Sequence, residues 1–235
     1  MTDIKALAII PARGGSKGIP RKNIVPLAGK PLMLWTIEAC LQSPYIRKTV
    51  VSSDDKEILS VAKQARVDAL SRPAELAADE TLTIPVISHV VDQLGESIDD
   101  YNYLVLMQPT SPLRTAQHLD MAFDQLLEVG ASSLISVVGA EHSPLKSFVL
   151  ENGTLKGIVN DSYPFMRRQD LPKTFLANGA IYIVDLKAFM CGRSLLTDFC
   201  IPFEMSKENS IDIDTVADLD RANEIISRKK LSENF

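Results

Sequence analysis

The chain has 235 residues, of which 46% are hydrophobic and 23% are charged, and these values are typical of a globular enzyme with a sizeable core. Its net charge of −5 argues against a broad nucleic-acid-binding surface. Three widely spaced cysteines argue against a disulfide framework, and the apolar N-terminal stretch is too short to span a membrane and has no signal cleavage site, so we expect a cytoplasmic protein.

Short apolar runs alternate with amphipathic segments along the chain. Strands are predicted at 6–12, 48–54, 68–70, 103–109, 133–139, 179–185 and 210–214, and helices at 31–43, 55–65, 83–94, 115–130 and 215–230. This alternation predicts an α/β fold in which one domain, 1–235, has a mostly parallel central sheet covered by helices on both faces. The stretch at about 140–177 breaks the rhythm and is expected to be a lid, an oligomerisation flap or an excursion from the sheet.

The first predicted strand runs into the sequence IIPARGGSKGIPRKN (9–23), whose residues 12–23 we call the glycine-rich loop. Glycines allow backbone N–H groups to approach phosphate oxygens closely. Arg13, Lys17 and Lys22 can neutralise a triphosphate, while Ser16 and Asn23 can add hydrogen bonds. Because ligands of open α/β folds bind at the carboxyl edge of the sheet, the sequence predicts a phosphate site here. The alternative is a solvated turn.

Two familiar glycine motifs do not fit this loop. A GxxxxGK[ST] phosphate loop needs Lys and Ser or Thr after its last glycine, but Gly18 is followed by Ile19 and Pro20. A dinucleotide fold needs GxGxxG opening directly into a helix and an acidic residue about 20 positions later. Neither requirement is met, which argues against an NAD-dependent oxidoreductase.

The segments ARGGSKGIPRKN and LAGKPL resemble the opening of the cytidylyltransferases that activate eight- and nine-carbon acidic sugars, especially the acylneuraminate and legionaminate enzymes. Five further segments follow in the order of that family, so the resemblance covers nearly the whole chain. They are SRPAELAADETLT (71–83), LMQPTSPLR (106–114), EHSPLK (141–146), NGAIYI (178–183) and SIDIDTVADL (210–219).

The resemblance implies a Rossmann-like nucleotidyltransferase fold and a homodimer with a dimerisation flap. It implies that CTP and a 2-keto-3-deoxy acidic sugar give a CMP-sugar and pyrophosphate, with Mg²⁺ or Mn²⁺, in the synthesis of lipopolysaccharide, capsule or flagellin glycans. Neither a nucleic acid nor a membrane is an expected partner.

The resemblance also assigns roles to individual residues of this sequence. The catalytic roles fall on Arg13, Lys17, Asp212 and Asp214, and the last two are also the metal ligands. The nucleotide contacts fall on Arg13, Gly14, Gly15, Ser16, Lys17, Lys22, Asn23, Arg72 and Thr83. The sugar contacts fall on Gln108, Lys146, Arg168, Asn178 and Tyr182.

One pair of residues departs from the family pattern. Sialate enzymes usually carry Arg-Pro immediately before NGAIY, whereas this chain has Leu176 and Ala177. A sugar related to N-acetylneuraminate, such as legionaminate, is therefore at least as suitable a substrate. The alternatives are a cytidylyltransferase for Kdo-type sugars, including 8-amino-Kdo, or for pseudaminate, and a non-catalytic nucleotide-binding regulator.

The residues themselves support parts of this interpretation. In an extended segment, Asp212 and Asp214 would point to one face with their Cβ atoms roughly 6–7 Å apart, which suits a hard cation. Asp214 could instead cap the last helix, although Thr215 and Asp218 form a capping box that offers Thr215 for that role. Arg72 could meet the cytosine edge or be a surface arginine.

The proposed sugar-binding residues also have plainer alternatives. Gln108 lies at the end of the strongest predicted strand and could face the cleft or bond to backbone there. Arg168 and Lys146 could bind the sugar carboxylate from the 140–177 segment or be surface charge.

Overall fold

A computed structural model describes residues 4–232. The strands are β1 Ala6–Pro11, β2 Pro26–Leu27, β3 Lys30–Pro31, β4 Ile46–Ser53, β5 Asp68–Ser71, β6 Tyr103–Leu106, β7 Ser133–Gly139, β8 Phe148–Glu151, β9 Thr154–Gly157, β10 Phe175–Asp185 and β11 Cys200–Glu204. The helices are α1 Leu32–Gln42, α2 Lys56–Gln64, α3 Thr83–Leu94, α4 Ala116–Val129, α5 Leu186–Gly192 and α6 Val216–Ser232. No helix within this described part is long and apolar enough to cross a membrane.

Seven strands form the central sheet in the order β11-β7-β10-β6-β1-β4-β5. β1 is parallel to both β4 and β6, and β5 is parallel to β4, whereas β10 runs antiparallel to β6 and β7. The prediction of a mostly parallel sheet is confirmed. Because β1, β4, β5 and β6 share one direction, the loops that follow them meet at one edge of the sheet.

Helices cover both faces of the sheet, as the alternation predicted. Ala6, Ala8 and Ile10 of β1 lie in a buried cluster with side chains of α1, α2 and α4. Leu7 and Ile9 point to the opposite face and lie in a cluster with α3 and α5. β1 is therefore buried on both sides, which holds the start of the glycine-rich loop in a fixed place.

The predicted strand at 210–214 is wrong. Residues Glu208–Ser210 form a 3₁₀ turn, and residues 211–214 are extended without belonging to a sheet. Ile211 and Ile213 are buried in a third cluster with α6, and the Ile213 N–H donates to the Thr110 carbonyl at 2.8 Å. The alternating apolar residues that suggested a strand are present, but their side chains pack against α6.

Of the stretch predicted at 140–177, residues 140–174 leave the central sheet, and β10 rejoins it from Phe175. β8 and β9 form an antiparallel hairpin in a separate two-stranded sheet. We call Phe148–Phe165 the flap. It consists of this hairpin and the segment after it, which ends in a 3₁₀ turn at Tyr163–Phe165. Phe148 and Phe165 pack edge to face with ring centroids 6.2 Å apart, which ties the two ends of the flap together.

Candidate active site

A cleft of about 340 Å³ opens at the carboxyl edge of the sheet. Loops that follow β1, β5 and β6 contribute to its walls, together with the start of α3 and the extended segment 211–214. It brings together ten residues predicted for the site: Arg13, Gly15, Ser16, Lys22, Asn23, Arg72, Thr83, Gln108, Asp212 and Asp214.

Two cations of the glycine-rich loop converge on one carboxylate. Arg13 Nη1 lies 2.5 Å from Asp79 Oδ1, and Lys17 Nζ lies 2.9 Å from Asp79 Oδ2. Lys17 and then Arg13 lower the pKa of Asp79 below its usual range. Asp79, on the segment between β5 and α3, thus shows where the glycine-rich loop can bind an anion.

Other contacts fix the shape of the glycine-rich loop. The Gly14 N–H donates to Asp54 Oδ1 at 3.0 Å, and a Cβ on Gly14 would lie only 2.8 Å from the Asp55 Cβ. Asn23 is buried and its Nδ2 donates to the Arg13 carbonyl at 2.8 Å. Arg21, which was not assigned to the nucleotide, binds Asp55 at the start of α2.

The two predicted metal carboxylates both line the cleft. Lys22 Nζ lies 2.8 Å from Asp214 Oδ1. The predicted capping box is confirmed, because Thr215 N and Oγ1 both donate to Asp218 Oδ2 and Asp218 N donates to Thr215 Oγ1. The Asp214 carboxylate is therefore not needed to cap α6 and faces the basic side chain of the loop.

Asp212 has a raised pKa. Loss of solvation against the cleft wall raises the pKa of Asp212, and the charge of Asp214 raises it further, while a hydrogen bond from Thr110 and the charge of Lys22 act in the opposite direction. Burial, and then the charge of Asp212, raises the pKa of the Tyr182 hydroxyl. Asp212 therefore gains most from a cation that neutralises it.

The composition of this carboxylate pair bears on whether it can hold a magnesium ion. No group of three His, Cys, Asp or Glu side chains suited to a metal occurs among residues 4–232. A pair of carboxylates is nevertheless a suitable donor set for Mg²⁺, which usually takes one or two carboxylates and fills its octahedron with water and phosphate oxygens. Asp212 and Asp214 meet that requirement without a third protein ligand.

Arg72 lies at the back of the cleft with only 6% of its surface exposed. Its Nη2 lies 4.0 Å from Asp54 Oδ1, and its Nε is buried with no hydrogen-bond partner in the described part of the chain. Burial lowers the pKa of this guanidinium, although the nearby Asp54 opposes the effect. Leu76 and Val86 add apolar surface to the same cleft. Arg72 is thus a buried guanidinium rather than a surface arginine.

Gln108 lies in the cleft because its neighbours leave room for it. Gly179 has φ +74°, and a Cβ there would overlap Gln108 Oε1. Beneath this position, the fully buried Arg114 donates to the Gln108 carbonyl at 3.1 Å and to Thr36 Oγ1 at 2.9 Å. Burial lowers the pKa of Arg114 to about 10. These contacts hold the backbone from which the Gln108 side chain projects.

The other predicted sugar-binding residues are scattered. Asn178 is buried, and its amide accepts from Ser136 Oγ at 2.6 Å and donates to Ser210 Oγ at 2.9 Å. Lys146 is exposed before the flap. Arg168 lines a different cavity, of about 650 Å³. A single chain therefore does not bring Lys146, Arg168 and Gln108 to one place.

Sequence reasoning missed three polar residues of the site. Asp79 and Thr110 lie within segments that carry the family resemblance, but they were given no role. Asp54 follows β4, the neighbour of β1, and binds the Gly14 N–H. The position of Asp54 could have been found, because an acidic residue at the carboxyl end of a strand beside β1 should lie near the loop.

Comparison with known sequences places this chain among cytidylyltransferases. A family model described as cytidylyltransferase matches residues 7–227. The N-acylneuraminate cytidylyltransferase of Escherichia coli O18:K1:H7 is 31% identical over 226 residues, which cover 96% of this chain and 53% of that protein. The chain therefore spans about half the length of this relative.

Other relatives are matched over nearly their full length. The pseudaminic acid cytidylyltransferase of Campylobacter jejuni is 31% identical, with 93% of this chain and 95% of that protein covered. The CMP-N,N'-diacetyllegionaminic acid synthase of Legionella pneumophila is 33% identical, with coverage of 92% and 93%.

A solved structure shares the fold. The CMP:2-keto-3-deoxy-manno-octonic acid synthetase, solved in complex with CTP, superposes with a TM-score of 0.71 and 16% sequence identity, covering 96% of this chain and 99% of that one. The likeness confirms the predicted α/β nucleotidyltransferase fold.

Proposed function

The chain belongs to the cytidylyltransferase family, and we propose that it transfers CMP from CTP to an acidic 2-keto-3-deoxy sugar of the sialic or legionaminic type. The observation that carries this proposal is the meeting of the glycine-rich loop with an aspartate pair in one cleft. The cations can neutralise a triphosphate. The aspartates can hold the metal ion that activates a hydroxyl for attack on phosphorus.

In this proposal, the triphosphate replaces Asp79 as the partner of Arg13 and Lys17, with further hydrogen bonds from Ser16 and the backbone of Gly15, while the Gly14 N–H stays bonded to Asp54. Lys22 lies between the phosphates and Asp214, with which it already pairs. The cytosine ring enters the part of the cleft that Arg72, Thr83 and Val86 line, where the Arg72 side chain borders it.

The sugar's anomeric hydroxyl attacks the α-phosphorus and gives up its proton to water, so that an O–P bond forms while the bond between the α-phosphorus and the pyrophosphate oxygen breaks. Asp212 and Asp214 would hold Mg²⁺, or Mn²⁺, which when bound supplies a Lewis acid that lowers the pKa of the hydroxyl. Arg13 and Lys17 stabilise the departing pyrophosphate by charge. Gln108 borders the cleft and offers an amide to a sugar hydroxyl.

We further propose that the protein is a homodimer formed through the flap. Large apolar side chains are exposed along this segment, and Phe165 is 82% exposed. Such a concentration of apolar surface is characteristic of an interface. The exposed members are Phe148, Leu150, Leu155, Ile158, Val159 and Phe165.

We also propose a cytoplasmic enzyme that prepares sugars for surface glycans such as lipopolysaccharide, capsule or flagellin modifications. Cys40, Cys191 and Cys200 are free thiols, which suits a reducing compartment. Pseudaminate and Kdo-type sugars are alternative acceptors. One relative is named for pseudaminic acid, and the solved structure that shares the fold is named for a Kdo-type acid.

Pyrophosphate release tests this function. The protein is incubated with Mg²⁺, CTP and, in turn, N-acetylneuraminate, legionaminate, pseudaminate, Kdo and 8-amino-Kdo. We expect release with at least one acidic sugar and CTP, and none when ATP, GTP or UTP replaces CTP. The Asp212→Asn variant should fold normally and lose turnover. Tight CTP binding with no release would favour the non-catalytic regulator instead.

A further inference from the structure

A second cavity, of about 500 Å³, adjoins the cleft because Asp212 lines both. It extends away from the glycine-rich loop, towards Leu176 of β10 and the first turns of α6. We call it the side cavity. Its charged lining includes Glu141, Lys207, Asp218 and Arg221.

Most charges of the side cavity already have protein partners. Lys207 Nζ lies 2.5 Å from Glu141 Oε1. Asp218 accepts from Thr215 N and Oγ1 in the capping box. Arg221 attracts Asp218 electrostatically, but its guanidinium makes no hydrogen bond and no ion pair within 4.0 Å among residues 4–232. Arg221 is therefore a cation in this cavity whose donors remain available.

The fold fixes where Arg221 lies. Ala222, Ile225 and Ile226 of α6 are buried in the cluster that also contains Ile213. Arg221 itself is exposed on the same helix. Because α6 packs against the segment that carries Asp212, the position of Arg221 relative to Asp212 is set by core packing and not by a loose loop.

The proposed acceptor needs a cation at such a place. In a 2-keto-3-deoxy acid, the carbon that bears the attacking hydroxyl also bears the carboxylate. A hydroxyl brought to Asp212 therefore brings a negative charge towards Asp212 and Asp214, which repel it. A guanidinium can offset that repulsion and bind both carboxylate oxygens with two parallel hydrogen bonds.

We infer that Arg221 holds the carboxylate of the acceptor sugar in the side cavity, and thereby selects acidic sugars over neutral ones. The inference rests on the proposed function and assigns a substrate contact to α6. Leu176 gives the same cavity an apolar wall, against which an uncharged part of the sugar can lie.

Kinetics of Arg221→Gln and Arg221→Lys test the inference, with Arg228→Gln as the matched control on the same helix. Arg228 lies 3.7 Å from Glu208 and does not line the side cavity. We expect Arg221→Gln to raise the KM of the acidic sugar about tenfold or more, as for a lost charge-assisted contact. The KM for CTP should stay nearly constant, and Arg221→Lys should recover part of the loss.

A second readout isolates the carboxylate. The methyl ester of the same sugar lacks the charge, so the wild-type preference for acid over ester should collapse in Arg221→Gln and persist in Arg228→Gln. An unchanged sugar KM, an equal loss with acid and ester, or a larger effect on CTP would each overturn the inference.

Failure of the inference and failure of the function are distinguishable. If the wild-type protein turns over an acidic sugar but Arg221→Gln matches it, only the role of Arg221 is wrong. If the wild-type protein releases no pyrophosphate with any acidic sugar, the function fails and the role of Arg221 fails with it. Thermal unfolding of each variant establishes that the fold is retained.

Discussion

Within the protein, three cations of the glycine-rich loop are paired with carboxylates. Arg13 and Lys17 share Asp79, and Lys22 binds Asp214. A bound triphosphate and a divalent cation would each take over one side of these pairs. Binding therefore exchanges ion pairs that exist already.

The acid limb of the activity should depend on Asp212 and Thr110. Asp212 must be ionised to hold a cation, and its pKa lies above the usual value, so activity is present above this raised pKa and is lost as the pH falls through it. Thr110→Val removes a hydrogen bond that lowers this pKa. We expect the acid limb of kcat/KM against pH to move to higher pH in Thr110→Val.

The direction of that shift is the test. A limb that stays in place, or moves to lower pH, would show that Thr110 does not stabilise the Asp212 carboxylate. Ser111→Ala is a control at the next residue, because Ser111 Oγ donates to the Asn178 carbonyl at 3.3 Å. The acid limb of kcat/KM for Ser111→Ala should lie at the same pH as that of the wild-type protein.

At the scale of elements, the glycine-rich loop and the segment 211–214 touch through Gly18. A Cβ on Gly18 would overlap the Asp214 carbonyl oxygen, whereas a Cβ on Gly15 would meet no protein atom within 4 Å. We expect Gly18→Ala to lower the free energy of unfolding by about 1–3 kcal/mol, as overpacking does. Gly15→Ala should leave it nearly unchanged. Urea unfolding of both variants checks this, and equal midpoints would contradict the close approach.

The segment between β5 and α3 should compete with the nucleotide. Asp79 holds Arg13 and Lys17 by surface ion pairs, which a triphosphate must replace. We expect Asp79→Asn to lower the KM for CTP by roughly two- to fivefold, because exposed pairs are weak. The neighbouring Glu80→Gln is the control for the loss of one negative charge. A raised KM for CTP in Asp79→Asn would mean that Asp79 helps to bind the nucleotide.

Several elements could be predicted because each has a local pattern. The apolar runs of β1 and β6 and the helical spacing of α3 and α4 identified them. β11 and α5 were missed, because they have five and seven residues and β11 contains Pro202. A proline is tolerated in β11, which lies at the edge of the sheet.

The site could be predicted in part for the same reason. Arg13, Lys22 and Asp212 lie in segments with a recognisable composition, and the structure brings them into one cleft. The pattern around Asp79 could not show its role, because its contacts with Arg13 and Lys17 are tertiary. The pattern IDID indicated a strand, but it could not show that Ile211 and Ile213 pack against α6.

At the scale of the whole molecule, the exposed flap should determine the oligomeric state. Phe165 is 82% exposed and Leu150 is 72% exposed. We expect Phe165→Asp and Leu150→Asp to convert a dimer into a monomer, because a charge buried without a partner at an interface is costly. Light scattering coupled to size-exclusion chromatography measures this directly.

A control separates the flap from exposed apolar residues in general. Leu196 is 66% exposed, on the stretch between α5 and β11. Leu196→Asp should leave the dimer intact. A wild-type monomer, or a dimer that survives both flap substitutions, would contradict an interface at the flap.

The central claim is that the α-phosphorus of CTP passes to an acidic sugar. Parallel reactions with CTP labelled at the α- or the γ-phosphorus, followed by separation of the products, test it most directly. We predict that the α-label appears in a CMP-sugar and the γ-label in pyrophosphate. A γ-label on the sugar, or no label transferred to any acidic sugar of the panel, would contradict the account.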